Sequence, residues 1–257
     1  MTLTDAGDRL ADRAPALLAG WQDARQAAIG GPKRLRMTGT EHIVASQVPL
    51  VLRELRRRRP GQEIDVISLP TRADVLAQVR SGAADAGMIL DVRMQGGDWV
   101  MAGVDDQQLE FEELAPVSTV LAVAPSHPLA GSGELSLGEL AAHRVAIGPS
   151  VCAMHVGIER LLPTLRLERL PSLLIARSWA VHGFAAVMLP QFAVATELSA
   201  GTLVAVPFNT EPLDSWLRLA WRPGQEPDQI GTELRDLLYA ASVAVAPAPL
   251  TEPSQQT

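Results

Sequence analysis

The stretch from Lys33 to Leu90 constrains the fold more than any other, because within it short β-type segments alternate with amphipathic helical ones. Leu35-Arg36-Met37-Thr38 has the character of a strand, and Gly39-Thr40 follows it as a turn whose hydroxyl is placed to cap a helix. From Thr40 to Arg59 the apolar residues Val44, Val48, Val51, Leu52 and Leu55 recur three or four apart, which lines one face of a helix. Pro49 falls inside that run, and since the periodicity continues past it the expectation is a kink rather than a break. Pro60-Gly61 ends the helix, Ile64 to Leu69 is a β-branched strand, and Thr71-Arg72-Ala73-Asp74 is a capping box ahead of Val75, Leu76 and Val79. Gly82 closes that helix, and Ala86 to Leu90 supplies a third strand. Strands that alternate with helices pair in parallel through right-handed crossovers. Ligands of such sheets bind beyond the carboxyl ends of the strands, so the helix starts at Thr40 and Thr71 should face one crevice. Helix starts present free backbone N–H groups and favour small anions.

The alternation runs a second time. Val117 to Ala124 is a new apolar strand, Ser136-Leu137-Gly138-Glu139 a capping box before a short helix, and Val145 to Ile147 a strand. Gly148-Pro149-Ser150 turns into a helix from about Val151 to Leu162, Leu165 to Leu170 alternates as a strand, and Ser172 caps a helix reaching Val181. Ala185 to Leu189, a helix from Gln191 to Ala200, and Leu203 to Val206 follow; Trp216 to Trp221 is one more strand and Ile230 to about Val245 a last amphipathic helix. Between the two runs, Asp91 to Glu113 is rich in Gly, Asp and Gln and is expected to be a long loop, with at most one short strand, able to fold over the crevice. Ahead of both, residues 4 to 29 form a helix with Leu10, Ala14, Leu17, Trp21, Ala24 and Ala28 alternating four and three apart, a coiled-coil seam that Pro15 interrupts. That seam suits a partner chain, or else packing on the helix's own domain. Gly30-Gly31-Pro32 separates it from the sheets.

Composition narrows the function classes. A chain of 257 residues with 47% apolar content can build one large core or two modest ones. The net charge of −7 argues against a general nucleic-acid binder, and Arg56 to Arg59 suits the C-terminal end of a solvated helix better than a nucleic-acid patch. The one cysteine, Cys152, excludes an intrachain disulfide. Asp5, Asp8 and Asp12 stand where a signal peptide would be basic and apolar, and no run of 18 apolar residues occurs, so a cytoplasmic chain with no membrane partner is expected. His42, His127, His143, His155 and His182 show no metal-ligand spacing, and no P-loop, zincin motif or dinucleotide fingerprint is present. Gly148-Pro149-Ser150-Val151-Cys152 lacks the closing glycine of a nucleophile elbow. Neither catalysis nor a cofactor is expected.

The pieces fall in an order that resembles the effector-binding part of the LysR-type transcription regulators. They are Leu3-Thr4-x-x-Gly7, Leu35-Arg36-Met37-Thr38-Gly39, Leu52-x-x-Leu55 through Arg59-Pro60-Gly61, and Gly82-x-x-Asp85. His127-Pro128-Leu129-Ala130, Ser136-Leu137-x-x-Leu140, Val181-His182-Gly183 through Leu189-Pro190, and Ala200-Gly201-x-Leu203 continue the series. The resemblance implies an α/β fold of two Rossmann-like subdomains joined by two crossover strands, similar to type 2 periplasmic binding proteins and preceded by a linker helix. On it, residues 1–31 are a linker and dimerisation helix, 32–116 with 214–247 one subdomain, 117–213 the other, and 248–257 a disordered tail. The crossing strands are expected near Leu114 to Ser118 and Val206 to Trp216. It further implies a small-molecule effector in the cleft, and homodimers or homotetramers. Family members carry a winged helix-turn-helix before the point matched by Leu3, so residues 1–257 are not expected to bind an operator by themselves. A solute-binding protein of similar bilobal fold, serving a transporter, is the alternative.

The expected effector-binding residues are Thr40, Glu41 and His42 at the first helix start, Thr71 at the second, Arg93 at the end of the third strand, Ser150 and Cys152 at the third helix start, and His182 with Phe184 near the fourth helix. Plain capping is the competing role for Thr40, Thr71 and Ser150. Glu41 would repel a carboxylate ligand unless paired with His42 or Arg93, which leaves a neutral or amine-bearing effector as the expectation. Cys152 at a helix start is either a thiol of lowered pKa or a small cleft residue.

Overall fold

The computed structural model describes residues 4–28, 34–94, 97–101, 104–149, 152–209, 213–223 and 232–245. Among them lie two five-stranded sheets of the same plan. The first contains β1 (Leu35–Thr40), β2 (Ile64–Leu69), β3 (Ala86–Arg93), β4 (Glu110–Pro116) and β10 (Asp214–Trp221) in the order β2-β1-β3-β10-β4. β1 pairs in parallel with β2 and β3, whereas β10 runs antiparallel to both β3 and β4. The second contains β5 (Thr119–Val123), β6 (Val145–Ile147), β7 (Leu167–Arg169), β8 (Ala186–Pro190) and β9 (Val204–Val206) in the order β7-β6-β8-β5-β9, with β5 antiparallel to β8 and β9. The chain crosses between lobes after β4 and again before β10.

The central strands are apolar because both faces are covered. β3 is buried at every position but its last, while the edge strand β2 is half exposed. On one face, α4 (Arg72–Ser81) presses Val75 and Val79 so closely on β3 that a Cβ at Gly87 would stand 2.8 and 2.9 Å from their methyls. Gly82 ends α4 at φ 80°, the left-handed cap that a side chain resists. α2 (Glu41–Ser46), α3 (Val48–Arg58) and α9 (Thr232–Ala244) cover the other face, where Val51, Leu55, Leu237 and Ala241 are fully buried. In the second lobe, α5 (Leu137–Ala141), α6 (Ala153–Leu161), α7 (Leu173–Val181) and α8 (Ala195–Ala200) surround the sheet. α6 also closes on β3 of the first lobe, since Gly157 lets Val92 and Leu213 approach to 3.0 and 3.2 Å of the position its Cβ would take. One continuous apolar core therefore runs through both lobes behind the cleft.

Three local expectations are corrected. The helix through Pro49 is two helices, because Gln47 ends α2 and opens α3; Pro49 then sits in the first turn of α3, where its missing N–H costs nothing. The 91–113 stretch is mostly ordered against the sheet: β3 runs to Arg93, a 3-10 turn spans Val104–Gln108, and Glu110–Pro116 pairs with β10 as an edge strand. Its Gly, Asp and Gln read as loop, yet Glu110, Glu112 and Glu113 supply the charge that an unpaired strand edge carries. Instead of covering the cleft, the stretch docks by Asp106 on Arg72 and by Trp99 over Arg218, 3.9 Å from the ring centre to the guanidinium carbon. Third, Gln191–Ala200 is a 3-10 turn (Gln191–Ala193) followed by α8. At the N-terminus, Thr4 caps α1 (Asp5–Ala28) by accepting from Gly7 N–H at 3.2 Å, and α1 is helical straight through position 15. The stretch expected to open the last helix, 230–231, and the tail after Val245 fall outside the described residues.

Candidate functional site

The carboxyl ends of the two sheets open on a shared cavity of about 1260 Å³. From the first lobe its wall includes Thr40, Glu41, His42, Gln47, Thr71 and Arg72; from the second, Cys152, Ser172, Arg177, Phe192 and Thr196. The apolar part comes from Leu50, Leu69, Leu90, Leu173 and Leu174. The starts of α2, α4 and α7 thus meet at one place, as strand-to-helix junctions of a parallel sheet must.

Thr40 stands at the N-cap position of α2, but its hydroxyl makes no capping bond and lies 3.4 Å from His42 Nδ1. The competing role for this residue, capping, is not the one its hydroxyl takes in the structure. His42 stacks on Phe192 with ring centres 6.1 Å apart and planes 6° off parallel, a contact that bridges the lobes. Burial pushes its pKa down to about 4, so the ring is neutral near pH 7, and its Nε2 is enclosed without a protein partner among the described residues. Thr71, by contrast, is fully engaged: its hydroxyl accepts from Asp74 N–H at 3.1 Å and donates to the Asp74 carboxylate at 2.7 Å. Ser172 caps α7 by accepting from Ile175 N–H at 3.2 Å.

Arg72 is the most tightly held group on the wall. It donates to both oxygens of Asp91 at 2.6 and 3.1 Å and to Asp106 at 2.6 and 3.4 Å. Asp91, fully buried, also accepts from Arg218 at 2.8 Å. Burial opposes the charge on Arg72, but the bonds and attraction from Asp91 and Asp106 outweigh it and its pKa is raised. Arg218 goes the other way: burial dominates, the neighbouring Arg72 adds to it, and its pKa is lowered despite Asp91. Arg177 pairs with Glu197 at 3.3 Å.

Other expected residues lie elsewhere. Arg93 is at the outer end of β3, held by Glu113 and lying over Trp99 at 4.6 Å, outside the cavity wall. It does not reach Glu41, and with His42 neutral neither anticipated partner compensates that carboxylate. His182 and Phe184 stack on each other at the far end of α7, whose near end meets the cleft; His182 Nδ1 is 2.8 Å from Ser178 O, and Phe184 is 63% exposed. Ser150 lies outside the described residues, between Pro149 and Cys152, which both line the cavity. Burial pushes the Cys152 thiol up from its ordinary value, the direction opposite to a reactive thiolate. Arg72, Ser172, Arg177 and Phe192 line the wall without being expected there. Ser172 carries the same signal as Thr71, a hydroxyl at a strand-to-helix junction, and that signal alone locates it.

Among the described residues there is no group of three or more His, Cys, Asp or Glu that could hold a metal, and no helix long and apolar enough to cross a membrane.

Two matching lobes with helix starts turned into a shared gap define a bilobal, type 2 periplasmic-binding-protein-like ligand-binding module. A family model described as the LysR substrate binding domain matches residues 30–242, and the chain belongs to that family. Among solved structures it is similar to a full-length OxyR cysteine variant from Pseudomonas aeruginosa, at 16% identity and TM-score 0.68, covering 94% of this chain and 79% of that one. HinK, a LysR family transcriptional regulator from Pseudomonas aeruginosa, is similar at 19% identity and TM-score 0.67, covering 96% and 85%. A hydrogen-peroxide-bound OxyR variant from Corynebacterium glutamicum is similar at 20% identity and TM-score 0.65, covering 94% and 76%. These likenesses carry the fold alone. No curated protein matches the chain.

Proposed function

We propose that the chain is the effector-sensing module of a LysR-type transcription regulator. A small molecule enters the gap between the lobes and shifts them about the two crossing segments. The change passes through a homodimer or homotetramer in the cytoplasm to the winged helix-turn-helix that such regulators carry. The observation that carries this is the cavity of about 1260 Å³ walled by both lobes, with the Thr40 hydroxyl on its wall engaged with His42 rather than with its own helix. Ligand bound there touches both bodies at once, so its affinity depends on their relative placement, which is the requirement for a population-shifting switch. The oligomer reading rests on α1, where Leu10, Leu17 and Trp21 of the seam are 62 to 67% exposed and unburied by the chain's own lobes.

The test is calorimetric titration with a panel of small acids, amines, amino acids and aromatics, repeated for Ala45→Trp and Thr40→Ala. Ala45 is exposed on α2 and lines the cavity, so a tryptophan there fills the space without disturbing a core. A bound panel member should lose measurable affinity for Ala45→Trp and weaken severalfold for Thr40→Ala, one hydrogen bond being worth about 1 kcal/mol. An affinity unchanged in both variants overturns the assignment.

A further inference from the structure

Taking the cleft as the sensing site, the charges on its wall narrow the chemical class of what it senses. Each arginine on the described wall already has an acidic partner. Arg72, with 8% of its side chain exposed, is shared between Asp91 and Asp106. Arg177 is paired with Glu197, whose other carboxylate oxygen is buried without a partner, so drawing Arg177 off to a ligand would strand a buried charge. His42 is neutral. Of the described helices of eight or more residues that start on the wall, α4 and α7 are capped by Thr71 and Ser172, while α6 opens at Cys152 with no side-chain cap. Opposite these groups stands Glu41, exposed on the cavity wall with no hydrogen bond or ion pair among the described residues. Among the described residues of the wall, Glu41 is the one formal charge without a charged partner, set against the partial positive charge of the α6 start. The whole chain, at −7, adds an attractive field for cations and a repulsive one for anions.

Size points the same way as charge. At about 1260 Å³ the cavity exceeds the ~300–1,000 Å³ of sites that enclose drug-sized ligands, so a free amino acid or a two-carbon acid leaves it mostly empty. Leu50, Leu69, Leu173, Leu174 and Phe192 give the remainder of the wall an apolar surface on which a hydrocarbon or aromatic body can lie.

We propose that the effector is an amphipathic organic cation, whose ammonium group meets Glu41 and whose apolar body lies against Leu50, Leu69, Phe192 and the Leu173–Leu174 pair. A matched series tests this without knowing the natural compound: phenylbutylamine, phenylbutanol and phenylbutyrate share one apolar body and differ in the charge of the head. By calorimetric titration near neutral pH the amine should bind about fivefold more tightly than the carboxylate, the scale expected of one solvent-touched charge contact, with the alcohol between them. Glu41→Gln should shrink that gap below about twofold and leave the alcohol unchanged. A carboxylate that binds as well as the amine, a gap that survives Glu41→Gln, or a series in which no member binds overturns the proposal. Ala45→Trp separates the two layers of the argument. If it abolishes binding while the carboxylate is the tighter ligand, the charge assignment falls and the sensing site stands. If the amine binds Ala45→Trp undiminished, both fall.

Discussion

The two lobes are built to one plan and held together by different physics. In each, three parallel strands are followed by one reversed strand, β10 in the first and β5 in the second, and then by an edge strand, β4 or β9, that again runs with the first three. The α7 side of the second sheet is packed with Ala122, Ala146, Ala176, Ala180, Val187 and Leu189, small and branched side chains that need only volume to match. On the α4 side of the first sheet, the corresponding layer of Val75, Val79, Ile89 and Ala220 sits beside a buried ion network, Arg72–Asp91–Arg218, with Asp106 closing it. Apolar packing is forgiving in direction; an ion network is not. The first lobe thereby fixes one wall of the cleft by geometry that four separate chain segments must satisfy together.

The largest break in that contrast should come from Asp91→Ala, which leaves two arginines buried around an absent carboxylate and is expected to lose about 3–5 kcal/mol in urea unfolding. A loss under about 1 kcal/mol would mean that the network is no more demanding than the apolar layer of the other lobe. Next in size is a pair of glycines. Gly87→Ala drives a methyl to within 2.8 Å of Val75 under α4 and should cost about 1–3 kcal/mol. Gly148→Ala meets a terminal methyl of Leu173 at 2.4 Å, on a side chain bordering the cleft, and should cost less than about 1 kcal/mol because that side chain can turn aside. Equal losses would erase the claimed difference in rigidity.

His42 joins the lobes through Phe192, and its titration follows from its burial. Its folded pKa, about 4, lies below the ordinary 6.5, so protonation favours the unfolded chain. The stability that comes from keeping it neutral is complete above pH 6.5 and is lost as pH falls toward 4, on the order of 1–2 kcal/mol after allowance for the part of the ring that meets the cleft. Unfolding midpoints of His42→Leu should show a correspondingly shallower decline over that interval. A last, matched pair sharpens the likeness of the lobes: Thr71→Ala and Ser172→Ala each remove one cap and should each cost about 1 kcal/mol, equal within a few tenths.

What the sequence carries plainly is whatever depends on neighbours along the chain. Gly82, Thr71, Ser136 and Ser172 each do the local task their neighbours specify, and the strand-helix alternation sets the order of both sheets' parallel strands. The sheet-wide polar network is invisible there, because Asp91 and Arg218 are 127 positions apart and nothing near either announces the other. Arg72 hides inside a capping motif that is itself legible, since a first-turn arginine normally points to water. Thr40 misleads in the opposite sense: the motif of a cap is present, but its hydroxyl turns to His42. His182 and Phe184 suggest the cleft by their position after a helix, and that helix presents its other end to the gap.

β10 lies between β3 and β4, and among the described residues β4 has no other strand beside it. Its position sets an order of events during synthesis. The strands of the second lobe are drawn from one unbroken run, 119–206, and can close as soon as that run has left the ribosome. The first lobe, although its strands begin to emerge earlier, must wait with β3 as a bare apolar edge until Asp214–Trp221 arrives. The later-made lobe is thus the first able to finish, and a chain halted just short of residue 214 would present the open edge of β3 to its neighbours, ready to aggregate.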